Sequence, residues 1–323
     1  MEGVTLGKQV EASKISLILP CFNEAEGIEE TLSRVGGVVT SWFPEWEIEL
    51  IIVDDGSFDS TVELALATNL PSNVELLVLR FTRNFGHQAA ISAGIERSSG
   101  SVVAIMDADL QDPPELLPVM VAKLGEGFHI VSGKRTSRDG VGWVKKSSYS
   151  IFYRLLGRVV TEIDIPMDTG DFRVMSRRAA DELLALPERN RFVRGLLPYT
   201  GLAHCSVEYD RSARSAGESK YNLKKLIKLA FDGLFSFSTE PLRVALYLGG
   251  VLFGISIMGV LAVLIIRLGT DEWVPGWAGQ MVILLSFGGL QFLFLGLLGE
   301  YIGRIFDEVK RRPSYIILEE LRK

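Results

Sequence analysis

Short apolar runs alternate with amphipathic stretches through the first half of the chain, and long apolar stretches fill much of the last third. Ile15–Leu19, Ile48–Val53, Val74–Leu79, Val102–Met106 and His129–Ser132 predict strands, most of them apolar enough to be buried on both faces. Between them, Ala25–Val39, Ser60–Ala67, His87–Arg97 and Pro114–Leu124 are predicted helices. This alternation predicts an α/β fold on a mainly parallel sheet, with ligands at the carboxyl ends of the strands. Polar clusters fall at those ends: Pro20–Glu24 after the first strand, Asp54–Ser57 after the second, Asp107–Gln111 after the fourth.

The last third reads differently. Val244 to Ile266 carries no charge, and a helix of that length would measure roughly 35 Å, enough to cross a hydrocarbon core of about 30 Å. A second uncharged span runs from Trp273 to Gly299. The loop between them holds Asp271 and Glu272, whereas Arg243, Arg304, Lys310, Arg311 and Arg312 flank the pair on the other side. The positive-inside rule then places the soluble part and both termini in the cytoplasm, with the protein integral to the inner (plasma) membrane. Arg267 runs against that charge bias, and its long stem can snorkel. Just upstream, Leu223, Leu226, Ile227, Ala230, Phe231 and Leu234 recur at helical spacing opposite Lys224, Lys225 and Lys228. That is the pattern of an interfacial helix lying against anionic headgroups. Expected boundaries are a cytosolic α/β domain over 1–210, a basic amphipathic juxtamembrane segment over 211–240, a transmembrane hairpin over 241–303 and a basic cytosolic tail over 304–323.

Composition narrows the function classes. Lys plus Arg total 34 against 40 for Asp plus Glu, a net charge of −6, which argues against a nucleic-acid binder. Cys21 and Cys205 cannot build a disulfide scaffold, and with three histidines in the chain a His-rich metal site is not expected. The first apolar run is too short for a cleavable signal peptide. No Gly-x-Gly-x-x-Gly follows a strand and no Walker loop is present, so a phosphorylated ligand would have to be held by a metal or by cationic side chains.

Asp107-Ala108-Asp109 offers that metal site: two carboxylates two residues apart at a strand end can converge on one hard cation, with Gln111 as a neutral neighbour. Asp112-Pro113-Pro114-Glu115 reads instead as a helix start, with Asp112 as cap and Glu115 closing a capping box. The Asp54-Asp55 pair, at another strand end, suits a ribose or base contact. His87 and His204, with no second ligand nearby in sequence, read as packing or hydrogen-bonding residues.

Taken in order, Leu19–Glu24, Val53–Ser57 and Met106–Glu115 resemble the family 2 glycosyltransferases of the GT-A fold. Asn84–Ala90, Asp168–Arg173 and Arg214–Tyr221, with the two C-terminal spans, narrow the resemblance to the polyisoprenyl-phosphate glycosyltransferases: the bactoprenol glucosyltransferase branch, related to dolichol-phosphate mannose synthases. It extends over about residues 15–310. The resemblance implies a donor nucleotide lying against Pro20, Phe22, Glu24, Val53 and Asp55. It implies that Asp107, Ala108 and Asp109 hold the diphosphate and its Mg²⁺ or Mn²⁺, with Asp109 the direct ligand. It also implies that Arg135, Arg214 and Lys220 contact donor phosphates. Asp168 and Asp171 flank the Thr-Gly pair, a departure from the mannose synthases that points to UDP-sugars; the Asn-Phe-Gly context of His87 implies a contact with the donor.

The implied reaction is inverting transfer of a sugar, glucose from UDP-glucose, to a polyisoprenyl (undecaprenyl) phosphate, by a homo-oligomeric membrane enzyme with no nucleic-acid partner. Asp168, Arg135 and Lys146 are the catalytic candidates, Asp168 as a contact to sugar hydroxyls or an optional base. The alternatives are a polyprenyl-phosphate mannose synthase, an aminoarabinose transferase and a non-catalytic nucleotide-sugar-binding membrane scaffold.

Overall fold

The computed structural model describes residues 14–136, 169–188, 193–210 and 277–323, with isolated positions between 245 and 261. Lys146, Asp168, Arg214, Lys220, the amphipathic segment 211–240 and most of the first uncharged span lie outside the described residues. The described chain falls into two units: one holds residues 14–136, 169–188, 193–210 and 313–323, the other the helix over Trp277–Lys310.

The first unit is built on an eight-stranded sheet. Strands β1 (Lys14–Cys21), β2 (Glu47–Asp54), β3 (Val74–Phe81), β4 (Val102–Ile105) and β5 (Ile130–Arg135) alternate with helices α1 (Ile28–Trp42), α2 (Thr61–Ala67), α3 (His87–Arg97) and α4 (Leu117–Gly125). After them come β6 (Thr169–Ser176), α5 (Arg177–Ala185), α6 (Val193–Tyr199), β7 (His204–Tyr209), the long helix α7 (Trp277–Lys310) and β8 (Ile317–Arg322). The strand order is β7-β5-β6-β4-β1-β2-β3-β8. β4, β1, β2 and β3 run parallel, and their central residues, such as Leu17, Ile51, Leu77 and Ala104, are buried. Crossover helices cover the sheet, which is why these strands read as continuous apolar runs. Where α3 lies over β1, a Cβ on Gly94 would come within 2.3 Å of Ile18 Cγ2, so the helix sits at glycine distance from the strand.

Three strands were not expected. β6 runs antiparallel between β4 and β5, placing Arg173 opposite Ile105 and Thr169 opposite Lys134. β7 pairs in parallel with β5, bringing Tyr209 opposite Arg135. The carboxyl ends of β1–β5 and β7 and the amino end of β6 therefore meet at one edge of the sheet.

The third departure concerns residues 304–323, expected to be a tail. Residues 317–322 instead form β8, antiparallel to β3, and Leu76 and Lys323 exchange backbone hydrogen bonds of 2.9 and 3.0 Å. Charged pairs cross the seam, Arg80–Glu319 at 3.2 Å and Arg322–Glu75 at 2.9 Å.

α7 is one continuous helix of 34 residues through the second uncharged span. Counted over the described residues, no helix is long and apolar enough to cross a membrane, so the two expected spans are not established by the fold. Many large apolar side chains of α7 are nevertheless exposed, among them Leu284, Phe292, Ile302 and Val309.

Candidate active site

The loops after β1 and β2 are clasped side by side. Asn23, in the left-handed region at φ 54°, donates its N–H to Ser57 Oγ (2.8 Å) and accepts the Phe58 N–H on its side-chain carbonyl (2.9 Å). The Glu24 N–H donates to Thr61 Oγ1 (2.9 Å) and the Ala25 N–H to Asp59 (3.2 Å). Pro20, one residue before the end of β1, lies beside Val53, its register partner on β2. Phe22 meets the exposed Phe58 edge-on at 6.3 Å, so two aromatic rings rim this corner.

Asp54, which ends β2, and Asp55, which follows it, are both buried. Asp54 accepts the Ser57 N–H (3.2 Å) and lies 3.8 Å from Arg80. Asp55 accepts the N–H groups of Phe85 (2.7 Å) and Gly86 (2.9 Å), fixing the loop between β3 and α3. Burial raises both carboxyls above their ordinary values, and these hydrogen bonds restrain the rise. Gly56, at φ 74°, makes the arrangement possible: a Cβ there would lie 2.6 Å from the Arg83 carbonyl carbon and 2.9 Å from Asn84 N.

After β4 the chain turns through Asp107-Ala108-Asp109. The Ala108 carbonyl accepts from the buried Thr31 hydroxyl of α1 (2.7 Å), and Asp109 accepts the Gln111 N–H (3.2 Å). Burial pushes Asp107 up to about 6; His87 offsets part of this, while Asp171, Asp112 and Asp109 add to it. A carboxylate crowded by other carboxylates gains from a bound cation, so this turn suits a divalent ion. Among the described residues no group of three His, Cys, Asp or Glu gathers to hold a metal alone. Asp107 and Asp109 are the two carboxylates that the turn itself offers a cation. Gln111 joins through its backbone.

The amino end of β6 supplies the centre of the site. Asp171 faces His87 Nε2 (3.2 Å), Arg194 (3.2 Å) and Arg173 (3.4 Å), with Gln88 Nε2 at 3.5 Å. Its burial opposes ionisation, but His87 and the two guanidinium groups outweigh that and hold the carboxyl far below the usual range. His87 also lies 3.6 Å from Asp107, which joins the metal turn to the β6 cluster. Burial works against its imidazolium, yet Asp171 and Asp107 raise it above its ordinary value. Gln88 accepts the Val193 N–H at the start of α6 (3.0 Å).

Arg135 reaches this edge from β5. Its Nε donates to the Tyr209 hydroxyl (3.2 Å) and its Nη2 lies 3.5 Å from Asp112. A Cβ on Gly170 would stand 2.8 Å from that guanidinium, so a larger residue there would make the Arg135 side chain shift. Asp112 is not the helix cap expected of it. It is fully buried, it accepts the Tyr209 hydroxyl, and the following turn of helix has no side-chain cap. Glu115, expected to close the capping box, pairs instead with Arg34 at 2.9 Å.

The structure thus brings Pro20, Phe22, Glu24, Val53, Asp55, Asp107, Ala108, Asp109, Gln111 and Arg135 to one end of the sheet. Asp112, Tyr209, Gln88, Arg173 and Arg194 join that end without having been expected there, and Asp171 and His87 have a larger part than expected. Their partners are far off in sequence, and the signals were the place of Asp171 beside the Thr-Gly pair and the Asn-Phe-Gly context of His87.

The model of the family described as Glycosyl transferase family 2 matches residues 16–184, more than half of the chain and β1–β6 of the sheet. The chain belongs to glycosyltransferase family 2. Its relatives extend the match over almost its whole length. An uncharacterized glycosyltransferase, YkcC, of Bacillus subtilis (strain 168) is 44% identical over 302 residues, 94% of this chain and 92% of its own. The bactoprenol glucosyl transferase of Shigella phage SfV is 41% identical over 312 residues, 96% of this chain and 100% of its own. A prophage bactoprenol glucosyl transferase homolog of Escherichia coli (strain K12) is 38% identical, covering 94% of this chain and 98% of its own. This family 2 glycosyltransferase is an enzyme with the Rossmann-like α/β sheet of the GT-A fold.

Proposed function

We propose that this glycosyltransferase moves glucose from UDP-glucose to a polyisoprenyl phosphate at the cytosolic face of the plasma membrane, inverting the anomeric carbon. The observation that carries the reading is the similarity to the phage bactoprenol glucosyl transferase, which runs over 96% of this chain and includes the apolar C-terminal third. The exposed apolar side chains of α7 support a membrane-embedded helix, and the uncharged stretch 244–266 supplies a second span. Asp168, Lys146, Arg214 and Lys220 keep their proposed roles on the strength of the sequence alone.

The nucleotide is assigned to the clasped loops after β1 and β2, between Phe22, Glu24 and the Asp54-Asp55 pair. Asp107 and Asp109 would hold Mg²⁺ or Mn²⁺, which when bound neutralises diphosphate charge and eases departure of the leaving group. A phosphate monoester has a second pKa of about 6, so the acceptor is already largely ionised at neutral pH and needs no strong base. The obstacle is repulsion: two unit charges 4 Å apart at an effective dielectric of 20 repel by about 4 kcal/mol. Arg135 is placed to offset that repulsion. Tyr209 and Asp112 orient its guanidinium beside the start of β6, where Asp168 would meet the sugar.

Membranes carrying the protein, incubated with a panel of UDP- and GDP-sugars and polyisoprenyl phosphate, test the proposal. Glucose should pass from UDP-glucose to the extracted lipid. Failure of every sugar to reach lipid, by a preparation that binds UDP, would overturn it.

A further inference from the structure

Two lines of contact run from β8 and the residues just before it to the buried Asp54-Asp55 pair. In the first, the Tyr315 ring stacks on Phe81 (centroids 5.1 Å apart, planes at 8°), and its hydroxyl bonds Glu96. Phe81 meets Phe85 edge-on at 5.7 Å, and the Phe85 N–H is the one that Asp55 accepts at 2.7 Å. In the second, Glu319 accepts from Arg80 (3.2 Å), Arg80 lies 3.8 Å from Asp54, and Asp54 accepts the Ser57 N–H (3.2 Å). Backbone pairing of β8 with β3 requires neither side chain. Both lines nevertheless end on adjacent carboxylates that hold the loops assigned to the donor.

We propose that Tyr315 and Glu319 are positioning residues for the nucleoside diphosphate, so that donor affinity depends on the strand that follows α7. The ring of Tyr315 backs Phe81 and Phe85 and keeps the loop 82–86 where its N–H groups reach Asp55. Glu319 orients Arg80 toward Asp54. Without them the loop relaxes, Asp55 loses backbone donors and turns, and the floor of the nucleotide site is no longer preset. The inference deepens the proposed function and rests on its placement of the donor against Asp55.

The test uses the full-length protein in detergent, with UDP and Mn²⁺ as the probe in titration calorimetry and amide hydrogen exchange as a second readout. Tyr315→Leu and Glu319→Ala should each weaken UDP binding roughly three- to tenfold, the range an aromatic pair or a charge-assisted contact supports. Exchange at the Phe85 and Gly86 amides should quicken in both. Tyr315→Phe, which keeps the stack, and Glu319→Gln, which keeps an acceptor, should bind as the parent does. A folded double variant that binds UDP within about twofold of the parent, with unchanged exchange at Phe85 and Gly86, overturns the proposal. Should Tyr315→Leu fail to fold, Glu319→Ala decides it on the same readouts. If the parent itself binds no UDP, the donor placement fails, and the exchange rates alone then decide whether β8 governs the loop.

Discussion

Gly56→Ala separates backbone strain from the geometry of the donor loops. At φ 74° an alanine occupies the left-handed region, at a cost of about 1–2 kcal/mol. Its Cβ would also stand 2.6 Å from the Arg83 carbonyl carbon and 2.9 Å from Arg83 Cα and Asn84 N. These are backbone atoms, so relief requires the loop 83–86 to move. That movement pulls the Phe85 and Gly86 N–H groups from Asp55, where they now sit at 2.7 and 2.9 Å. A hydrogen bond to a charged acceptor contributes about 1.5–3 kcal/mol, so losing one brings the expected destabilisation to about 2.5–5 kcal/mol. Gly127→Ala is the matched control: its φ is 98°, but nothing lies within 4 Å of the added Cβ. It should cost only the strain, about 1 kcal/mol, and leave UDP affinity unchanged. Denaturant unfolding and UDP titration on both variants check this. If Gly56→Ala proves no more harmful than Gly127→Ala in either measurement, the contact between Gly56 and the β3–α3 loop does not position the donor site.

Asp109→Ala should nearly abolish sugar transfer while leaving the unfolding midpoint close to the parent's; retention of most activity with chelator-treated substrates would refute the cation assignment. Asp171→Asn removes the carboxylate shared by Arg173, Arg194 and His87 and should destabilise by about 3–5 kcal/mol, since the buried Arg173 guanidinium loses its counter-charge. A loss below about 1 kcal/mol in denaturant unfolding would show that the cluster is not coupled. Glu49, at the far end of the sheet, tests the electrostatics of the fold. Burial opposes its charge, but hydrogen bonds from Ser16 and Ser99 and the charge of Lys14 outweigh burial and lower its pKa from 4.5. A carboxyl depressed by folding stabilises above its ordinary value and loses that contribution as pH falls through the lower folded value. Glu49→Gln should therefore be less stable than the parent at pH 7, with the gap closing below about pH 4.5; a gap independent of pH would refute the ionised role.

The parallel half of the sheet was legible because helices cover its faces, which forces the central residues of β1–β4 to be apolar. The antiparallel additions were not. β6 carries Asp171 and Arg173 inside the protein, where pairing with each other and with Arg194 and His87 makes charged residues tolerable. Sequence alone gives such a segment the look of a loop. β8 reads as a charged tail because its partners, Glu75 and Arg80, lie more than two hundred residues away. The candidate site divides the same way. Asp55, Asp107 and Asp109 stand directly after apolar strands and announce themselves by position, whereas Asp112 looked like a cap until Tyr209 and Arg135 arrived from distant strands.

The place of β8 also bears on how the polypeptide is made. The edge of β3 that it covers runs Leu76, Leu77, Val78 and Leu79, a row of apolar residues with open backbone groups of the kind that recruits foreign strands. Until residues 317–322 emerge from the ribosome, that row has no partner of its own. Chains stalled or clipped before that point are therefore the species expected to clump, whereas the finished chain closes that row with a strand carrying Glu319, Glu320 and Arg322.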